Sequence, residues 1–432
     1  MLAEADESYP LSTPRPGWSE QKPDDWVGAA EAVLARLPKA DRIGLSGQMH
    51  GLVCLDEAGT PLRPAILWND QRTAAECAEI ESRIGLERLI ELTGNRALTG
   101  FTAPKLLWVR NNEPDVYSQI THILLPKDYV RYRLTGVEAI DAADASGTLL
   151  FDVAKRRWSD EVLEALDVPR EWLPPVYESP DVPEIPGAGD QAAALLGVGV
   201  TEPGPVSVVL GTSGTVSAAL SEFAADSQAR VHVFCHSVPG RWHAMGVMLS
   251  AAASLRWLRD LLDVPYEMLL AEAERWPPGS EGLLFAPYLA GERTPHADPS
   301  VRASFVGLSL RHDRGALVRA VLEGVAYGLR DSLELLGELG VRPAAIRLSG
   351  GGARSELWQK IVAAVFELPV ELTGSEEASA FGAALLASAD PIAAAKGSVR
   401  VRMHIDPEPA WARDYAAGYE HFRELYPAIR GF

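Results

Sequence analysis

Apolar positions along this chain recur with two periods, and segments of each kind alternate. Between 313 and 339, Leu317, Val321, Val325 and Leu329 fall on one helical face. Asp313 stands where an N-cap belongs, and Gly340 where the helix should stop. A helix is also predicted from Pro23 to about 37, with Asp24 and Asp25 suited to its positive end. Another runs through 130–134 and stops at Gly136, and a further one spans 356–366. A last helix, 411–426, carries Tyr415, Tyr419, Phe422 and Tyr426 on one stripe, a packing surface rather than a platform for bases. Strands are predicted at 43–46, 52–55, 206–210, 215–220 and 346–348, with a turn at Glu57-Ala58-Gly59-Thr60. Residues 2–9 half-alternate and predict one more strand, and the prolines at 10–18 predict extended chain after it.

Strands alternating with helices in both halves predict an α/β fold built twice. A chain of 432 residues also exceeds one ordinary core. Pro174, Pro175, Pro180, Pro183 and Pro186 mark a compositional break at 172–186. The expected division is a first domain at 1–200, a second at 206–389, and a helical tail at 390–432.

Charge and cysteine usage narrow the class. A net charge of −19 argues against nucleic acid, whose phosphates need clustered Lys and Arg. No apolar run is long enough to span a bilayer, and Glu4, Asp6 and Glu7 do not fit a signal peptide. Cys54, Cys77 and Cys235 are far apart and form no C-x-x-C pair, which suits buried thiols in a reducing cytoplasm.

Five segments could carry chemistry. Gly211-Thr212-Ser213-Gly214-Thr215, between two predicted strands, is either a phosphate-ringing loop of amides and hydroxyls or an ordinary turn. Gly350-Gly351-Gly352 follows a strand and opens a helix; it is either a bed for a flat ligand or a flexible connector. Gly187-Ala188-Gly189-Asp190-Gln191-Ala192 imitates a dinucleotide fingerprint, but no hydrophobic strand leads into it. Asp190 is then a helix cap or a base that takes a substrate hydroxyl proton. Gln48, Met49 and His50 end a predicted strand and suit a polyol, and Asn69 and Asp70 beside Trp68 add polar groups. Walker, H-R-D and D-F-G motifs are missing from the sequence.

The order of these segments resembles the xylulokinase branch of the FGGY carbohydrate kinases. Gly47-Gln48-Met49-His50-Gly51 followed by Leu67-Trp68-Asn69-Asp70 carries the likeness. So do Gly100-Phe101-Thr102-Ala103-Pro104-Lys105, Leu125-Pro126-Lys127-Asp128-Tyr129, Asp144-Ala145-Ser146-Gly147-Thr148 and Gly291-Glu292-Arg293-Thr294-Pro295-His296. The resemblance implies two actin-like (ribonuclease-H-like) domains with ATP and sugar in the cleft between them. It implies transfer of the γ-phosphoryl group of ATP, with Mg²⁺, to O5 of D-xylulose in xylose catabolism, and allows a homodimer. Carried over, Asp190 is the base, and Gln48, Met49 and His50 contact the ketose, with Asn69 and Asp70 around it. Gly211, Thr212 and Ser213 meet phosphate, Gly350, Gly351 and Gly352 lie along the adenosine, and no metal ligand is assigned. The family opens with a β-hairpin bearing D-x-G-T and carries a longer stretch before Gly-Asp-Gln than 181–186 provides. The resemblance therefore implies an incomplete first domain. Its alternatives are a kinase of another pentulose or polyol and a catalytically impaired sugar-binding remnant.

Overall fold

A computed structural model of the chain describes residues 3–374 and 377–431. In the first half, strands come only in pairs, joined by helices and loops. Its core is built from buried residues such as Leu52, Cys54, Ile66, Leu106, Leu150 and Phe151. Strands β1 (Leu45–Gly47) and β2 (Gly187–Gly189) pair in parallel, with Gly187 opposite Leu45 and Gly189 opposite Gly47. Helix α1 (Asp190–Gly197) starts directly from β2. The predicted helix at Pro23–Arg36 is present, and Pro126–Thr135 ends at left-handed Gly136. Residues 3–9 form no strand, against the reading of their half-alternation. They are largely exposed, so no sheet neighbour rewards their alternation with burial.

Beside a separate antiparallel pair of Leu284–Ala286 and Ser304–Val306, the second half is built on a seven-stranded sheet with helices around it. Its strands are β3 (Pro205–Leu210), β4 (Gly214–Leu220), β5 (His232–Cys235), β6 (Trp242–Met248), β7 (Ala345–Ser349), β8 (Val370–Thr373) and β9 (Val401–Ile405). The order across the sheet is β5-β6-β4-β3-β7-β8-β9. The β3–β7 and β7–β8 pairs are parallel and the rest antiparallel. Helix α2 (Arg314–Glu338) buries Val321, Val325 and Leu329 against the sheet, and the Asp313 carboxylate accepts from the Ala316 amide at 3.1 Å. Ser355 caps α3 (Glu356–Phe366) in the same way. Residues 390–431 are more than a helical tail. They supply edge strand β9, and Tyr415, Tyr419 and Phe422 pack into the second core. No described helix is long and apolar enough to cross a membrane.

Two of the contacts between the halves, among the described residues, bear on the site. Strand β5 is shared: Val233 belongs to the second core, and Phe234 and Cys235 to the first. The other contact is between α1 and α4 (Ala378–Leu386), which lie almost backbone to backbone. A Cβ on Gly382 would stand 1.8 Å from the Ala193 carbonyl oxygen, and one on Gly197 would stand 2.0 Å from that of Ala378. In an open helix, Gly→Ala stabilises by about 0.5–1 kcal/mol. Here the clash reverses the sign, at about 1–3 kcal/mol destabilising. Gly382→Ala should therefore lower the urea midpoint, whereas Gly28→Ala, with no atom within 4 Å of its added Cβ, should leave it unchanged or raise it.

Candidate functional site

Parallel pairing brings the candidate residues together. Residues leaving the carboxyl ends of paired parallel strands emerge side by side. Gln48, Met49 and His50 leave β1 beside Asp190, which leaves β2. Glycine permits this closeness: a Cβ on Gly189 would stand 2.7 Å from Met49 Cγ and 3.3 Å from an Asp144 carboxylate oxygen. Met49 is buried against Gly189 and Gly147.

His50 occupies the left-handed region, with φ +68°, and Gly51 N donates to Met49 O at 2.9 Å. That is a tight γ-turn, a strained conformation for a residue with a side chain. Its surroundings hold it there. The His50 carbonyl accepts from Thr102 Oγ1 at 3.1 Å and from Lys105 Nζ at 3.2 Å. Lys105 Nζ also donates to the Phe101 carbonyl at 2.8 Å and to that of Gly100. Burial brings this ammonium down to about 7. His50 Nδ1 lies 2.7 Å from the Gly147 carbonyl, so Nδ1 carries the proton and donates. Burial lowers the imidazole to about 3, which keeps the ring neutral and Nε2 an acceptor.

Asp190 is the first residue of its helix, and Gly189 is the N-cap. The helix-cap reading of Asp190 is thus not what the backbone shows. Burial pushes its carboxyl up to about 6, while hydrogen bonds from Gln191 act the other way. Gln48 donates to the Gln21 side chain at 3.1 Å. Asn69 is exposed, in a surface pocket with Thr13, Arg15 and Trp18. Asp70 is wholly buried and accepts from Ser19 N at 2.6 Å and from Arg72 N, Nε and Nη2 at 2.7–2.9 Å. These bonds fix Arg72 over the Trp18 ring at 3.6 Å, which fits Asp70 for holding that loop rather than for touching a sugar.

The second half repeats the device. In the parallel pair β3–β7, Val209 lies opposite Ser349, so Gly211 and Gly350 leave adjacent strand ends. Gly350 has φ +89°, and a Cβ there would stand 2.7 Å from the Leu210 carbonyl carbon and 3.0 Å from Gly211 N. Gly352 packs on the Trp358 ring, while Gly351 meets open space. The carbonyls of Gly211 and Thr212 accept amides of Ala251, Ala252 and Ala253 at the start of helix Ala252–Leu262. Thr212 and Ser213 are left exposed at the loop's tip.

One cluster escaped the sequence reading. Asp128, Asp141 and Asp144 converge, all buried. Lys127 Nζ sits among them, paired with Asp128 and lying 2.8 Å from Asp141 and 3.4 Å from Asp144; Arg131 Nη1 is 2.7 Å from Asp128. Two cations already fill this group, so its residues do not fit a divalent ion. The available signal was Lys127-Asp128 with Arg131 three positions on, polar residues in a stretch that leads into the core. Removing one partner of a buried ion pair strands the rest. Lys127→Met should therefore lower unfolding free energy by about 3–5 kcal/mol in urea titrations; a loss below about 1 kcal/mol, the level of an exposed pair, would contradict it.

Comparison with known proteins agrees with this architecture. Residues 1–221 match the N-terminal domain of the FGGY family of carbohydrate kinases, and residues 206–390 match its C-terminal domain. The xylulose kinase of Escherichia coli (strain K12) is 40% identical over 464 residues, covering 99% of this chain and 94% of that protein. That of Klebsiella pneumoniae is 42% identical over 414 residues, covering 90% and 85%. The crystal structure of a xyloylose kinase from Brucella ovis superposes with a TM-score of 0.92 at 39% identity, over 97% of this chain and 92% of that one. With both family domains matched in sequence and a two-domain neighbour superposing along nearly the whole length, the chain belongs to the FGGY family of carbohydrate kinases and has that family's two-domain fold.

Proposed function

We propose that this chain phosphorylates D-xylulose, giving D-xylulose 5-phosphate, with ATP as phosphoryl donor and Asp190 as base. The supporting observation is the adjacency of Asp190 to the Met49-His50 turn at the ends of one parallel strand pair. The xylulose kinases among its relatives support the choice of sugar. Asp190, at about 6, is ionised at neutral pH yet basic enough to take the proton of a sugar hydroxyl. His50, neutral with Nε2 free of any described partner, accepts from a second hydroxyl and orients the ring-opened sugar. Gly211, Thr212 and Ser213 receive phosphate through amides and hydroxyls, and Gly350, Gly351 and Gly352 lie along the nucleoside. Mg²⁺ arrives with ATP and offsets phosphate charge. Among the described residues, the one group of three converging carboxylates is already neutralised, so no protein ligand is assigned to it. The reading includes domains at 1–200 and 206–389 and work in the cytoplasm, without nucleic acid.

D-xylulose should be the best acceptor in a coupled ADP-release assay run beside D-ribulose, L-ribulose, glycerol and gluconate. Preference for glycerol or L-ribulose would overturn the substrate. Asp190→Ala should lower kcat by roughly 10²–10⁴. Because the base must be deprotonated, kcat/KM should fall about tenfold per unit as pH drops below about 6. A flat profile from pH 5 to 7 with near-normal turnover in the Ala variant would remove Asp190 from the chemistry. Gly351 faces open space, so Gly351→Leu should weaken ATP in calorimetry without disturbing D-xylulose.

A further inference from the structure

The buried arginines of this chain come with acids. Arg72 has Asp70, Arg131 has Asp128, and Arg319 has Glu323. Arg293 breaks the rule. It is half-buried, and its guanidinium makes no hydrogen bond or ion pair with any described residue. The neighbouring Glu292 makes no ion pair with it, although the two are close enough for each to act on the other's charge. One Glu292 oxygen accepts from Leu249 N at 3.0 Å and from Arg293 N at 2.8 Å, and burial pushes the carboxyl up to about 8, so it stays protonated at neutral pH.

The position of Arg293 is fixed by β6. Thr294 N donates to Val247 O at 3.0 Å, and Val247 N donates to Thr294 Oγ1 at 3.0 Å. Two residues back along β6, Met245 lies opposite His232 on β5. The His232 ring stacks on Phe234, and Phe234 and Phe101 both lie against the His50 ring. Two residues forward, the Leu249 carbonyl accepts from Ser213 Oγ at 3.2 Å. Arg293 therefore projects from a backbone that lies between the sugar-side turn of the first domain and the phosphate loop of the second. Its charge is felt at both His50 and His232, where it works against protonation.

We propose that Arg293 is a substrate-contacting residue whose guanidinium receives the phosphoryl group carried by the sugar. A half-buried cation that makes no ion pair, beside a site handling phosphate, suits an anionic ligand. The planar fork of arginine suits two phosphoryl oxygens at once. The same contact favours charge on the group in transit, so it raises kcat and also holds the product. A free sugar, which has no phosphoryl group, gains little from it.

This inference rests on the phosphorylation reading, and its test separates the two. The full chain and its Arg293→Met and Arg293→Lys variants are titrated calorimetrically with D-xylulose and, separately, with D-xylulose 5-phosphate, and thermal midpoints are recorded. Arg293→Met should bind the phosphorylated sugar on the order of tenfold or more weakly, and change by less than about threefold toward D-xylulose. Arg293→Lys should restore part of the loss. The Met variant should unfold no earlier than wild type, because it removes a half-buried charge that makes no ion pair. Equal losses for both ligands, unchanged binding of both, or a lower thermal midpoint would each overturn the proposal. If the wild-type chain instead binds glycerol 3-phosphate or L-ribulose 5-phosphate with the same dependence on Arg293, the D-xylulose assignment falls and Arg293 stands. If it binds none of these sugar phosphates, both fall.

Discussion

Strands Leu45–Gly47 and Gly187–Gly189 lie side by side and point the same way, as do Pro205–Leu210 and Ala345–Ser349. Parallel pairing gives no choice about where the chain goes next: both partners release it at one edge. In the first half that edge receives the Gln48-Met49-His50 turn and Asp190. In the second it receives the Gly211 loop and the Gly350 loop. Both edges are crowded enough to require glycine, at Gly189 in one and at Gly350 and Gly352 in the other. Segments more than a hundred residues apart in sequence thus meet because their strands share a direction.

Charges buried beneath the loops hold them in place. Lys105 ties three carbonyls, including that of the strained His50 turn, to one ammonium. Lys127 and Arg131 draw three aspartates together, and Asp144 of that group lies against Gly189. Such groups are costly to bury and more costly to leave unpaired, so the fold has little freedom to relax around them. They hold the backbone around the His50 turn and Gly189, while Thr212 and Ser213 stay exposed, with Ser213 Oγ donating to the Leu249 carbonyl. Arg293 is the exception that a ligand would complete.

The helical stripe at Leu317, Val321, Val325 and Leu329, the cap Asp313, and the stops Gly136 and Gly340 were legible because local chemistry sets them. The strand pattern was legible at 206–210 and 346–348, where side chains alternate or are β-branched. It was not legible at Gly187–Gly189, a strand with no apolar run, held by pairing and by close backbone contact. The half-alternation misled at 3–9 for the opposite reason: pattern without a partner does not make a strand. Asp70 looked like a sugar ligand because its local sequence cannot reveal Arg72 folding back over it. Lys105, Lys127 and Arg293 stand in motifs that carry the family likeness, but their roles depend on contacts that no spacing announces.

The account's central claim is that both strand-pair edges serve one site, sugar at one and nucleotide at the other. A crystal structure of the chain with D-xylulose and a non-hydrolysable ATP analogue tests it most directly. The account predicts a sugar hydroxyl within hydrogen-bond distance of both the Asp190 carboxylate and the terminal phosphoryl group. It also predicts another hydroxyl on His50 Nε2 and the nucleotide phosphates against Gly211, Thr212 and Ser213. A sugar bound in the surface pocket near Asn69, or a nucleotide away from the Gly211 and Gly350 loops, would contradict it.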